Sequence, residues 1–340
     1  MEGESVLFVK DDDGGSARAS VLMPIRKVLA VRDSTGATSY EDGRDFVWKA
    51  GSREIVLPPG SRIVASRPAD LRRPPGTQMF RLTRRDGDGE IMFGEKLEYQ
   101  ALQTVITYEH DADAWRGPRP EFDSAALPRV SEKLKRGEPL SVALLGDSIS
   151  TGCNASGWAG GAPFQPPYQD LLRLRLKERF GSEVRLTNLS VGGMDSAWGV
   201  TKINEVVEAA PDLAIVAFGM NDAAGRSAAE FRGNVEKIMS GVREALPETE
   251  FVLVGTMVGN ADWTALHQEL FPAYRDALAE LKAPGVALAD VTSIWSRFLA
   301  LKRDWDQTGN GVNHPNDFGH RVYAQVIAAC LIPESEGPSR

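Results

Sequence analysis

The chain has 340 residues, 42% of them hydrophobic and 25% charged. That is the make-up of an ordinary globular protein, at a length that favours two domains over one core. A net charge of −8 supplies no basic face to neutralise phosphates and argues against a nucleic-acid surface. The two cysteines, Cys153 and Cys330, allow one disulfide at most and form no CxxC metal pair; two buried free thiols are the simpler reading. No run of about 20 apolar residues is present to span a membrane. The start, Met1-Glu2-Gly3-Glu4, has neither the basic nor the apolar stretch of a secretory leader. The chain reads as cytoplasmic, with secretion open if a leader has been removed.

Residues 1–110 carry short β-branched segments: Ser5 to Val9, Lys27 to Arg32, Arg53 to Leu57, Met79 to Thr83 and Gln103 to Tyr108. Turn clusters such as Pro58-Pro59-Gly60 and Asp86-Gly87-Asp88-Gly89 separate them. Strands at this spacing predict a β-sandwich or jelly roll. Residues 111–139 shift to Pro, Asp and Arg and form a packed linker. It contains one short helix with Pro128 in the first turn and Leu127, Val130 and Leu134 on one face.

In residues 140–332 the period changes. Leu140 to Leu145 is a continuous apolar run, as in a strand buried on both faces. A helix from Tyr168 to Phe180 stops at Gly181. A strand over Val184 to Asn188, a helix over Trp198 to Ala209 and a strand over Leu213 to Phe218 follow. Ser227 to Glu230 is a capping box opening a helix with Phe231, Val235, Ile238, Val242 and Leu246 on one stripe. Strands at Phe251 to Gly255 and Val286 to Asp290 bracket a helix from Thr264 to Lys282, and a last helix runs from about Asn316 to Leu331. Strand–helix alternation predicts a parallel sheet covered on both faces.

In such sheets ligands bind beyond the carboxyl ends of the strands. Four polar clusters fall there: Gly146-Asp147-Ser148-Ile149-Ser150, Asn188 through Gly192-Gly193, Gly219-Met220-Asn221-Asp222, and Asn310 through His314-Pro315-Asn316. Each alone has a bland alternative, a tight connection or a satisfied histidine, but the ordered set has the parts of acyl transfer. A serine hydroxyl needs a base near neutral pH, which histidine supplies. The oxyanion of the tetrahedral intermediate needs preorganised donors. The backbone N–H groups of Ser148 and Gly193 and the Asn221 amide suit that role. Asp147 is read as bonding the backbone of the nucleophile turn, and Asp222 and Asp317 as structural. His320 is expected to point away from His314, and His110 and His267 to lie at the surface. Cys153 reads as a small buried filler. The stretch from Trp158 to Phe164, and Trp263, are either pocket walls or packed structure. No GxSxG, HExxH, Walker loop or strand-following GxGxxG occurs, so α/β-hydrolase, metalloprotease, NTPase and dehydrogenase readings have no support.

The four clusters resemble the blocks of SGNH (GDSL-like) hydrolases: the GDS block, an asparagine followed five residues later by glycine (188 to 193), the GxND block and a final HP block. The resemblance spans about Leu140 to Leu331. It implies a three-layer α/β/α flavodoxin-like fold and ester hydrolysis through an acyl-enzyme, with Ser148 as nucleophile and His314 as base. Ser148, Gly193 and Asn221 would be the oxyanion donors, and no metal or cofactor is implied. One block departs. Family members usually carry an aspartate three residues before the histidine, and here that position is Gly311. The group orienting His314 is expected to be a backbone carbonyl in the Asn310–Val312 turn, with Asp304 and Asp306 as the alternatives.

A β-sandwich ahead of such a domain resembles two-domain carbohydrate esterases, including acetylxylan esterases with a jelly-roll front domain. That architecture favours short acyl groups, acetyl first, on a carbohydrate, so the partner expected is a small-molecule or oligosaccharide ester. The alternatives are a lipase or lysophospholipase of the same family, and a glycan-binding protein whose catalysis has decayed, the latter suggested by the missing aspartate.

Overall fold

A computed structural model describes residues 1–10 and 15–333. The front region is sheet-rich. Strands β1 (Glu4–Val6), β2 (Phe8–Val9), β3 (Arg18–Ser20), β4 (Lys27–Asp33), β5 (Val47–Trp48), β6 (Glu54–Val56), β7 (Ala65–Ser66), β8 (Arg72–Arg73), β9 (Glu90–Ile91) and β10 (Thr104–Glu109) form three sheets. Their orders are β1-β10-β4, β5-β6-β3-β2-β7 and β8-β9. The run expected from Ser5 to Val9 is broken at Leu7, whose N–H leaves the ladder to donate to Asp306 Oδ1 at 2.7 Å. The strand expected over Met79 to Thr83 does not form. Met79 and Phe80 are exposed, and the neighbouring Gln78 side chain takes up Phe93 N–H and Ile91 O instead.

The linker helix α1 (Pro128–Lys135) buries Val130 and Leu134 and leads into five parallel strands. These are β11 (Leu140–Gly146), β12 (Val184–Asn188), β13 (Leu213–Ala217), β14 (Glu250–Gly255) and β15 (Val286–Asp290), in the order β12-β11-β13-β14-β15. The central strands β13 and β14 are buried at every residue, which explains their unbroken apolar runs. At the edge, β12 exposes Arg185, Thr187 and Asn188. Between and after them run helices α2 (Ser148–Thr151), α3 (Ser156–Ala159), α4 (Tyr168–Phe180), α5 (Ser196–Val200), α6 (Ile203–Glu208), α7 (Ala228–Ala245), α8 (Leu270–Ala279), α9 (Val291–Leu299) and α10 (Asp317–Ala329). Helix α4 packs on α10, and α5, α6 and α8 gather around α7, giving the three-layer flavodoxin-like arrangement.

Several helices depart from the sequence pattern. The stretch from Trp198 to Ala209 is two short helices, α5 and α6. The stretch from Thr264 is helical only from Leu270. Helix α9 was hidden because it starts on the last residue of β15: Asp290 ends the strand and caps the helix, accepting from Ser293 N–H at 2.9 Å.

The apolar core is continuous from Val6 and Phe8 in front to Tyr323 and Ile327 behind. Polar bolts cross the same junction. Lys302 Nζ meets Glu4 Oε1 at 2.6 Å with both side chains fully buried, and also reaches Ser5 O. Glu4 in turn accepts from Tyr108 OH and Leu22 N–H. Among the described residues no helix is long and apolar enough to cross a membrane, and no three His, Cys, Asp or Glu side chains are grouped to hold a metal ion.

Candidate active site

The first strand-end cluster is a sharp turn from β11 into α2. A Cβ on Gly146 would lie 2.6 Å from Ala217 O and 2.5 Å from Ser150 Oγ, so the turn closes only with glycine there. Asp147 caps α2, accepting from Ile149 N–H at 2.9 Å, the backbone-fixing role read from the sequence. Its carboxyl is pushed up to about 7 by burial. Ser148, 8% exposed, is the first residue of α2, where a backbone N–H has no intrahelical partner.

The second and third clusters are tied to this turn and to each other. Asn188 Nδ2 donates to Ser150 O at 2.7 Å, and Val191 N–H to Gly146 O at 3.1 Å. A Cβ on Gly192 would stand 3.6 Å from Ser148 Cβ. Gly193 follows at φ +78°, a left-handed conformation that glycine adopts without strain. Asn221 Nδ2 donates one hydrogen to Met194 O at 2.8 Å, leaving the amide's second hydrogen for another acceptor. Behind them Arg226 pairs with Asp195 at 2.5 Å and Asp222 at 2.8 Å. Asp222 also accepts from Ser196 N–H and Oγ–H. Asp222 is thus structural, as expected, and joins the second cluster to the third.

The histidine loop completes the set. His314 Nε2 lies 2.8 Å from Ser148 Oγ, and His314 Nδ1 lies 2.7 Å from Asn154 Oδ1. Asn154 Nδ2 donates to Lys96 O at 2.7 Å and Gly309 O at 3.2 Å. Two carbonyls on one end of the amide require that end to be the NH2, so the oxygen faces the ring. An acceptor at Nδ1 puts the imidazole proton there, and Nε2 is left bare to accept the Ser148 hydroxyl proton. Burial first, and His320 next, hold His314 well below the ordinary histidine value, which favours the neutral base.

The orienting group is therefore neither of those expected. The turn's carbonyls face other donors, Asn310 O receiving Gly94 N–H, Gly311 O Asn260 Nδ2–H, and Val312 O Asn260 N–H, while Nδ1 is held by Asn154. Asp306 accepts from Leu7 N–H and Arg303 N–H. Both ring nitrogens of His314 are engaged by Ser148 and Asn154, which leaves no place for Asp304. Sequence reasoning missed Asn154, six residues past Ser148, because its role depends on a loop 160 positions away. Its neighbour Cys153 is half-buried and free, as is the buried Cys330. His320 is buried with both ring nitrogens engaged, Nδ1 accepting from Tyr168 N–H at 3.3 Å and Nε2 lying 3.1 Å from Cys153 O. Asp317 receives Ser156 N–H at 2.8 Å. His267 is exposed and His110 partly so. Trp158 and Phe164 are exposed, and Trp263 packs against the core. A cavity of about 1120 Å³ lies away from this site, lined by the linker's Trp115 and Phe122 and by Arg175, Phe298 and Phe318.

The Ser148 turn, with Gly193 and Asn221 beside it at neighbouring strand ends and the His314 ring closing on it at 2.8 Å, is an arrangement of the hydrolase class. The model of the GDSL-like lipase/acylhydrolase family matches residues 144–322, more than half of the chain, and the chain belongs to that family. No curated protein sequence matches it. Among solved structures it is similar to a two-domain esterase, CEX, active on acetylated mannans, with 24% identity and a TM-score of 0.48. That match covers 63% of this chain and 52% of the other, so it spans about half the length of that esterase. It is also similar to an acetyl-xylooligosaccharide esterase, Axe2, from Geobacillus (17% identity, TM-score 0.45, 57% of this chain and 94% of that one). A lipase from a goat rumen metagenome is a third (16% identity, TM-score 0.46, 56% and 96%).

Proposed function

We propose that the protein is a serine esterase that transfers a short acyl group, acetyl foremost, from a carbohydrate ester to Ser148 and then to water. The observation that carries the reading is the His314 ring, bridged at 2.8 Å to Ser148 Oγ and at 2.7 Å to Asn154 Oδ1. In the first half-reaction Ser148 Oγ attacks the ester carbonyl while Nε2 takes its proton. The oxyanion is met by the Ser148 and Gly193 N–H groups and the free Asn221 amide hydrogen. Collapse expels the alcohol, which takes the proton back from His314. Water then repeats the sequence on the acyl-serine, releasing the acid and restoring Ser148.

The carbohydrate part of the reading rests on architecture alone: a sheet-rich region ahead of the hydrolase domain is the arrangement of two-domain carbohydrate esterases. The missing aspartate, which suggested a decayed binding protein, is met by an amide acceptor in the position an orienting carboxylate would serve. The test is hydrolysis of p-nitrophenyl acetate against p-nitrophenyl palmitate, with acetylated xylan or mannan as polymer substrates. The reading expects acetate to be much the faster, acetate release from the polymer, and no turnover by folded Ser148→Ala. Preference for palmitate would indicate a lipase, and activity surviving in Ser148→Ala would remove the mechanism.

A further inference from the structure

We propose that the front region is a working part of this active site: its strap from Met92 to Gln103 fixes Asn154 as the positioning residue for His314. The inference rests on the esterase reading and goes beyond it by giving the front region a task in the chemistry.

Asn154 has three polar attachments besides the histidine, and two come from the strap. Lys96 O receives its side-chain amide, and Gln100 Nε2 donates to its backbone oxygen at 2.6 Å. The third, Gly309 O, belongs to the histidine loop. Asn154 stands at φ +65°, a left-handed conformation that asparagine adopts more readily than most residues. A Cβ on Gly309 would come within 2.5 Å of Asn154 Cβ, so that glycine lets the two loops close.

The same strap holds the histidine loop. Gly94 N–H donates to Asn310 O at 3.0 Å. Gln103 Nε2 donates to Trp305 O and Thr308 O, while its Oε1 receives Asn316 Nδ2 at 3.0 Å. Asn316 is the residue capping α10, just after His314. At Gly311, with φ +86°, an added Cβ would overlap Met92 O and press on the Tyr99 ring at 2.8 Å. The strap thus fills the space beside position 311 and leaves no room for a side chain there. It excludes one source of an orienting group and secures another.

The groups facing His314 are Ser148 and Asn154 at its two nitrogens and, as the titratable neighbour, His320 on α10. A carboxylate introduced at 154 would therefore act directly on the imidazolium, raising its pKa.

Steady-state kinetics of the full chain on p-nitrophenyl acetate across pH, with melting curves, test this. Asn154→Gly, which keeps the backbone conformation, is expected to lower kcat about 10²-fold with KM within about twofold, because loss of an orienting partner frees the wrong tautomer. Asn154→Asp is expected to move the acid limb of kcat/KM upward by about one pH unit, which a merely structural residue would not do. Gln100→Met should lower kcat about tenfold in the native background and leave it unchanged in Asn154→Gly, the signature of an effect passed through Asn154. An unmoved acid limb in Asn154→Asp, or equal Gln100→Met losses in both backgrounds, would overturn the inference while the esterase reading stood, provided Ser148→Ala is inactive. Activity in Ser148→Ala would instead remove the esterase reading itself.

Discussion

The two halves of the site are built differently. The Ser148 half, with Gly193 and Asn221, sits on turns that follow three neighbouring strands. Bonds between the turns of adjacent strands join it, such as Asn188 to Ser150, 38 positions apart, and Asn221 to Met194, 27 apart. The histidine half hangs on contacts between segments far apart in sequence: His314 to Asn154, Asn154 to Lys96, Asn316 to Gln103. The first half is specified by local motifs and a parallel sheet. The second is specified by the docking of one region on another, so it depends on the whole chain being folded.

Breaking each half should show this contrast, beginning with the largest effect. His314→Ala removes the base and should reduce kcat by about 10⁵-fold or more, as loss of the base does in serine hydrolases, with little change in melting temperature. Asn221→Ala should reduce kcat by about 10²- to 10³-fold through loss of one oxyanion donor, again with stability nearly unchanged because Asn221 is only part-buried. Asp304→Asn should change kcat by less than about tenfold, since His314 has no free nitrogen for it; a thousandfold loss with normal stability would restore an aspartate triad.

Lys302→Met tests the other side of the comparison. It strands Glu4 in the junction core, and removing one partner of a buried pair typically costs about 3–5 kcal/mol. Chemical denaturation should record that loss, with kcat of the folded fraction little altered. A smaller effect is expected from pH. Burial lowers His314 below the ordinary histidine value of 6.5, so the neutral base persists below that pH and the acid limb of kcat/KM should lie under 6.5. The sign for stability follows: the unfolded chain takes a proton near 6.5 that the folded one refuses. This contribution is therefore full above 6.5 and is lost as pH falls below it.

The same contrast explains what could be read from sequence. Strands β11, β13 and β14 and the α7 capping box are legible because burial on both faces and a reciprocal cap leave local signatures. Ser148, Gly193 and Asn221 stand after successive strands and His314 in the loop before the last helix, in family order. Asn154 carries no such mark, because an asparagine after Gly152-Cys153 is unremarkable until Lys96 and His314 are brought against it. Gly311 was visible only as a gap; the reason for it, Met92 and Tyr99 packed on that position, belongs to the front region. In that region two-residue strands such as β2, β7 and β8 are too short for period-two alternation to register. The exposed Met79 and Phe80 mimicked a strand that Gln78 replaces with side-chain bonds.

The central claim, acyl transfer to Ser148 driven by His314, is most directly tested by covalent labelling. Full-length protein treated with a p-nitrophenyl phosphonate should release one equivalent of nitrophenol. Peptide mapping should place the phosphonyl group on Ser148, with labelling abolished in Ser148→Ala and slowed by orders of magnitude in His314→Ala. Labelling at another residue, or an unchanged rate without His314, would contradict the account.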